Sequence, residues 1–425
     1  MRVLELEQAC RSLLIYRHVL GDEIGQAFLA LLQTAEQPAL ALDAYSRWFS
    51  GLAQAQLGWQ EYVLTRILGD ENPFTQNVQH ENLPSALIQA VEHDLEKLQL
   101  IYQCSSKQIC EWVEKQTYQQ LVKWSDFLVE NKPVNPRQAD ITKLRTKLEG
   151  ISGWATAIAD FQAFYRQFGT GLFAEYGAFR WQNGRFVAVV NPDPIATETL
   201  VGYEAQRDTL LKNTEFLLSA LPALHILLYG SRGSGKSSLV KSLLGKYRDR
   251  NLRLIEVSKS ALKDLPEIVE QLRNQPQKFV IFVDDLSFEE DDDAYKALKV
   301  VLEGNLTARP QNVVVYATSN RRHLIREFFG DRPRPQDADE VHHWDTMQEK
   351  LSFSDRFGLT LTFEPADQNT YLKIIHHLAK QENISFSPED LQFQALQWAT
   401  RHNGRSGRTA RQFIDFLKAD LKLNH

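Results

Sequence analysis

The chain has 425 residues, 43% of them hydrophobic, and a formal net charge of -6. That length predicts two or three domains with real cores, and the mild acidity carries no global nucleic-acid signature. No apolar run reaches the roughly 18 residues of a membrane span, the start MRVLELEQACRSLL lacks the layout of a secretory leader, and Cys10, Cys104 and Cys110 form no metal-type cluster, so a cytoplasmic protein with reduced thiols and no membrane partner is expected.

Residues 1 to about 175 read as helical. Apolar residues recur at three- and four-residue spacing over 8–34, 41–68 and 84–130, with Gly69, Pro73, Pro133 and Pro136 as breaks. Five of the eight tryptophans fall here (Trp48, Trp59, Trp112, Trp124 and Trp154), which fits the core of a helical bundle. The alternative is an aromatic face that docks a protein partner. Over 179–190, FRWQNGRFVAVV, the period changes to alternation, and Asn183-Gly184 supplies the two positive-φ positions of a tight hairpin. Asn191-Pro192-Asp193-Pro194 then reads as a linker, because Pro restricts both itself and the residue before it. A helical N-terminal domain ending in a β-hairpin is therefore expected over 1–195.

Leu200 to Glu204 leads into a helical pattern that reaches Leu218. The run Leu224 to Tyr229 reads as a buried strand. It opens into Gly230-Ser231-Arg232-Gly233-Ser234-Gly235-Lys236-Ser237, which matches G-x-x-x-x-G-K-[ST] at every fixed position. Glycines let the backbone approach closely, successive N–H groups point at phosphate oxygens, and the following helix adds its dipole. The phosphate-binding set is thus Gly230 to Ser238, with Lys236 on the β and γ phosphates of ATP and Ser237 on Mg²⁺.

Leu252 to Val257 is a second strand, and Asp264 to Arg273 a helix with Pro266 in its first turn. Lys278 to Asp285 reads as a buried parallel strand that delivers two acids to its C-terminal edge, where ligands bind in open α/β sheets. Asp284 is the expected Mg²⁺ ligand, and Asp285 the group that takes a proton from attacking water. The acidic run Glu289 to Asp293 suits a helix N-terminus. Asn312 to Asn320 is another buried strand, whose terminal Asn320 is placed to sense the γ-phosphate; the bland reading is a turn-forming amide. Arg321 and Arg322 follow it. Residues 326–350, with His342 and His343, read as a polar loop whose adjacent histidines fit no metal-ligand spacing.

Leu351-Ser352-Phe353-Ser354-Asp355-Arg356-Phe357-Gly358 precedes a strand over 359–363, and amphipathic helices follow from Asp367. Over roughly 196–422 the chain resembles the AAA+ ATPases. The combination of GSRGSGKSSLVKSLL, FVDDLSFE, YKALKVVLEG, YATSNRRHLI and EKLSFSDRFGLTL is similar to a bacterial family of AAA+-like ATPases of unknown function with a helical N-terminal region. The resemblance implies an α/β P-loop NTPase fold, a parallel sheet sandwiched by helices, with a core over 196–365 and a helical lid over 366–425. It implies that Val201 and Gly202 close over the adenine. Arg356 becomes an arginine finger for the neighbouring subunit's γ-phosphate, against the alternative of an in-chain pair with Asp355 or Asp285. In GRSGRTARQFIDFL the lid arginine that turns back onto the phosphates is best matched by Arg408, with Arg411 close behind and Arg405 still open. A homo-oligomer, often of six subunits, is implied, with ATP hydrolysis coupled to remodelling or loading of a macromolecule. The alternatives are a slow-turnover ATP-dependent switch or adaptor, and a DNA-associated loader using Lys241, Lys246, Arg248 and Arg250. No N/T-K-x-D segment supports a guanine nucleotide.

Overall fold

The computed structural model describes residues 3–34, 37–78, 83–124, 136–193, 195, 201–288, 293–303, 310–320, 352–402 and 404–423. The acidic residues 289–292, Arg321, Arg322 and the segment 326–350 with its two histidines lie outside these. The chain divides into two compact units between Glu175 and Tyr176.

Among the described residues the first unit is helical: α1 (Val3–Arg11), α2 (Glu23–Gln33), α3 (Pro38–Ala55), α4 (Trp59–Gly69), α5 (Pro73–Asn77), α6 (Ser85–Gln103), α7 (Ser106–Thr117), α8 (Pro136–Gly150), α9 (Ile158–Phe168) and α10 (Gly171–Glu175). The long periodic stretches of the sequence are broken for identifiable reasons. The N–H groups of Leu14, Ile15 and Tyr16 leave the helical ladder to donate to the buried carboxylate of Asp94 on α6, at 2.9, 2.7 and 2.9 Å. Asp22 then restarts the helix as an N-cap on the Gly25 N–H. Between α6 and α7, Ser105 and Gln108 form a reciprocal capping box.

Trp48, Trp59 and Trp154 are fully buried and Trp124 nearly so, in one apolar core. Phe28 and Trp48 pack 4.4 and 5.8 Å from Trp59 by ring centroids. The indole N–H groups of Trp59, Trp124 and Trp154 each find a backbone carbonyl, on Ile101, Leu57 and Leu148. These rings are therefore packing residues, and Trp112 is half-buried against the same core. The Asp94 carboxylate joins α6 to a non-helical turn some 80 residues away in sequence, so its loss strands three N–H groups, of which that of Tyr16 is buried. Asp94→Ala is expected to lower the unfolding free energy by about 3 kcal/mol, read from urea midpoints at unchanged slope.

The second unit carries a seven-stranded sheet in the order β2-β1-β4-β5-β6-β3-β7. Its strands are β1 (Ala178–Gln182), β2 (Arg185–Ala188), β3 (Ile226–Gly230), β4 (Leu252–Glu256), β5 (Lys278–Val283), β6 (Val313–Ser319) and β7 (Leu359–Phe363). Every pairing is parallel except β1 with β2. The helices of this unit are α11 (Glu204–Leu218), α12 (Lys236–Tyr247), α13 (Leu265–Leu272), α14 (Asp293–Glu303), α15 (Gln368–Gln381), α16 (Pro388–Arg401) and α17 (Gly407–Leu423). The last three have their own apolar core around Tyr371, Ile375, Ala395 and Phe413 and form the helical lid. A P-loop sheet with helices about it, a C-terminal lid and a helical N-terminal region is thus the architecture of the chain. Among the described residues no helix is long and apolar enough to cross a membrane.

The hairpin corrects the expected boundary at residue 195. β1 runs parallel to β4, with Ala178 against Leu254 and Arg180 against Glu256, and the Trp181 indole N–H donates to Asp264 at 2.9 Å. An isolated two-stranded hairpin is marginal in water. Here Phe179 and Trp181 are buried as the edge of the larger sheet, so the hairpin belongs to the second unit and not to the helical one.

Candidate nucleotide site

Parallel strands carry their C-terminal ends to one edge of the sheet, and β5, β6 and β3 are neighbours in it. Three segments with chemistry therefore converge: the loop after β3, the acids after β5 and the amide after β6. The loop after β3 needs glycine at two points. At Gly230, φ is 135° and an added Cβ would stand 2.0 Å from the Phe363 carbonyl oxygen. At Gly233, φ is 73°, and a Cβ would press on Ser406 and Arg408 of the lid. Gly235, also at positive φ, starts α12 without a side-chain cap, which leaves the first-turn N–H groups for an anion.

One bonded chain of side chains links the three segments. Ser237 Oγ donates to Asp284 Oδ1 at 2.6 Å, and Thr318 Oγ1 donates to the same oxygen at 2.5 Å. Asp285 has φ of 50°, its N–H donates to Thr318 Oγ1 at 3.0 Å, and its carboxylate accepts from Asn320 Nδ2 at 2.7 Å. The Asn320 Oδ1 reaches Lys236 Nζ at 3.4 Å, and that ammonium also donates to the carbonyls of Gly230 and Ser231 at 3.0 and 2.7 Å. Lys236 is only 6% exposed. Burial pushes its pKa below the ordinary lysine value, and the charges of Asp284 and Asp285 push back up.

These groups line a cleft of about 920 Å³. Arg232, Gly233, Ser234, Gly235, Lys236, Ser237 and Ser238 form one wall, with Asp284, Asp285 and Asn320 beside them. The lid contributes Arg408 and Arg411, and the Arg408 N–H donates to the Gly233 carbonyl at 3.2 Å. Val201 lines the cleft with Ile195, Ile374 and Leu378, an apolar set suited to a flat base. Gly230 and Ser231, predicted as part of the phosphate-binding set, do not line this cleft; they border a second pocket with Arg232 and Asn320, and their carbonyls accept from Lys236.

Three further predicted residues stand elsewhere. Gly202, at φ 94°, packs against Thr370 and gives its N–H to Glu204, so it closes the start of α11 against the lid and is not a cleft residue. Arg405 bonds Gln368 at 3.2 Å, which leaves Arg408 and Arg411 as the lid arginines that line the cleft, the second also paired with Glu382 at 3.3 Å. Arg356, in the 3₁₀ turn Ser352–Arg356 before β7, pairs with Glu303 of α14 and is 19% exposed at its side chain. That pairing is with neither Asp355 nor Asp285. Sequence reasoning missed Thr318, Ile195, Ile374 and Leu378. For the last two the i, i+4 spacing on one helix was the available signal.

The site can hold a divalent cation of the magnesium type. Its donors are one hydroxyl and one carboxylate, both hard oxygen ligands, and Mg²⁺ takes few protein ligands because it keeps waters and substrate phosphates.

A family model described as "Protein of unknown function (DUF815)" matches residues 174–421, more than half of the chain. No curated protein matches. Among solved structures the chain is similar to the RuvB Holliday junction branch migration motor of Thermotoga maritima, at 12% identity over 53% of this chain and 72% of that one, with TM-score 0.32. A DNA replication initiation factor gives 20% identity over 54% and 65%, with TM-score 0.34. AMPPCP-bound DnaA from Aquifex aeolicus gives 19% identity over 54% and 66%, with TM-score 0.36.

Proposed function

We propose that this chain, which belongs to that family of unknown function, binds and hydrolyses ATP and couples nucleotide state to the remodelling or loading of a macromolecular partner. The observation that carries the reading is the bonded chain Ser237–Asp284–Thr318–Asp285–Asn320–Lys236 around one cleft. Lys236 and the N–H groups of the phosphate loop bind the triphosphate. Ser237 and Asp284 hold Mg²⁺, which when bound neutralises phosphate charge. Asp285 takes a proton from the attacking water, and Asn320, already bonded to it, orients that water and reads the γ-phosphate. Arg408, with Arg411 beside it, adds positive charge from the lid, and Val201 packs on the adenine.

Arg356 is proposed to act on the site of a neighbouring copy in a homo-oligomer, of six subunits in the fullest form, in the cytoplasm. Its pairing with Glu303 must exchange for that to happen. The same pairing favours a second reading, a slow-turnover switch that docks a protein partner through the helical unit while ATP is bound. For a DNA loader the support is thinner, because Arg250 of the basic group along and just after α12 is already paired with Glu215 at 2.6 Å.

The test is ATP hydrolysis against protein concentration for wild type, Lys236→Ala, Arg356→Ala and an equal mixture of the two variants. Wild-type rate per subunit should rise with concentration, each variant alone should lose about 100-fold or more, and the mixture should recover activity that neither has. A rate independent of concentration with no recovery removes the trans role of Arg356. Slow single turnover with tight binding moves the switch reading ahead.

A further inference from the structure

Nothing in the sequence marks Thr318, yet it touches every residue of the acidic turn. It lies next to last in β6 and is 2% exposed. Its hydroxyl proton goes to Asp284 Oδ1 at 2.5 Å, and its oxygen lone pair accepts the Asp285 N–H at 3.0 Å. Its own carbonyl accepts the Leu286 N–H at 2.7 Å. Three consecutive residues, Asp284 to Leu286, are thereby fixed to one residue of the neighbouring strand.

The conformation so fixed is not one the turn adopts freely. Asp285 sits at φ of 50°, and a non-glycine residue in that left-handed region costs about 1–2 kcal/mol unless its surroundings hold it there. The left-handed kink carries the Asp285 carboxylate to Asn320, while its neighbour Asp284 faces Ser237. The two acids thus serve different partners although they are adjacent in sequence. A hydroxyl gives a proton to one of them and accepts from the backbone of the other through a single oxygen.

We infer that Thr318 is the positioning residue that splits the acidic pair into a metal-facing Asp284 and a water-facing Asp285, acting through Asp284 Oδ1 and the Asp285 N–H. The inference rests on the nucleotide reading of the cleft. Valine is the isosteric replacement without the hydroxyl, and serine keeps the hydroxyl and loses a methyl group.

Three quantities test it on the full chain: ADP affinity by calorimetry with and without Mg²⁺, the Mg²⁺ concentration for half-maximal hydrolysis, and kcat at saturating ATP. For Thr318→Val the gain in ADP affinity on adding Mg²⁺ should shrink about 10-fold, the half-maximal Mg²⁺ should rise by a similar factor, and kcat should fall about 10–100-fold. ADP affinity without Mg²⁺ should stay within about threefold of wild type, and Thr318→Ser should restore all three readouts to within about threefold. A merely structural Thr318 would lower affinity with and without Mg²⁺ alike. That result, or a Thr318→Ser as impaired as Thr318→Val, overturns the inference. Thr318→Ala, which adds no atoms, replaces Thr318→Val if that variant fails to fold, with the same expected outcome. If wild type itself shows no Mg²⁺-dependent nucleotide binding, the nucleotide reading falls and the inference with it; if wild type does and Thr318→Val matches it, the inference alone falls.

Discussion

Asp285→Asn is expected to lower kcat for ATP hydrolysis by about 10²–10³-fold while leaving ATP affinity within about threefold of wild type. The substitution isolates the proton-accepting role because little else changes. Asparagine tolerates φ of 50° nearly as well as aspartate does, so the turn keeps its shape. The side-chain oxygen can still accept from Asn320 Nδ2, and the backbone N–H still reaches Thr318. What disappears is the basicity of the carboxylate. Removing one negative charge from beside Lys236 also slightly favours an anionic ligand, so binding should not weaken. The measurement is single-turnover hydrolysis beside equilibrium ATP binding on the same preparation. A protein that binds ATP and holds it unhydrolysed would assign the proton transfer to Asp285. Turnover within threefold of wild type would remove Asp285 from the chemistry and leave it as a partner of Asn320.

The legible part of this molecule is the part whose physics is local. The phosphate loop is readable because Gly230, Gly235, Lys236 and Ser237 are each demanded by the conformation or chemistry of one short segment. β5 and β6 are readable because apolar runs of their length, ending in acids and an amide, suit buried strands that open onto a ligand edge. The parts that were not legible depend on pairing between distant segments. A hairpin signal at Asn183-Gly184 gives the turn, but nothing local says that β1 will lie parallel to β4, so the domain boundary was set some twenty residues late.

The same distinction runs through the side chains. In YATSN the sequence offers Thr318, Ser319 and Asn320 at one strand end, and only the fold shows that Thr318 holds both acids while Asn320 bridges Asp285 and Lys236. Arg356 was recognisable as a candidate finger from its place before β7, but its partner Glu303 lies on α14, more than fifty residues upstream. In the helical unit, periodicity predicted continuous helix through residues 14–16. It failed there because Asp94, on another helix, captures three successive N–H groups and makes a non-helical turn the lower-energy state.

Lys236→Ala is expected to weaken nucleotide binding about 100-fold at neutral pH and to abolish the pH dependence of that binding in the alkaline range. Lys236 is buried and its pKa in the folded protein is lowered, because desolvation outweighs the attraction of Asp284 and Asp285. Between that lowered value and the ordinary lysine value the unfolded chain binds the proton and the folded chain does not, so with respect to this group stability increases as pH rises through that window. A bound polyphosphate reverses the balance. Its negative charge favours the ammonium, so the complex holds the proton to higher pH than the free protein does. Binding in that window therefore takes up a proton, and affinity must fall as pH rises through it. Calorimetry of nucleotide binding at a series of alkaline pH values, in buffers of different ionisation enthalpy, reads both the slope and the proton uptake. Wild type should show the slope and Lys236→Ala should not, with the thermal midpoint of the nucleotide-free variant within about 3 °C of wild type. If the variant retains wild-type affinity, the cation that meets the phosphates is one of Arg232, Arg408 and Arg411, which line the same cleft; a slope that survives in the variant removes Lys236 as the group that takes up the proton.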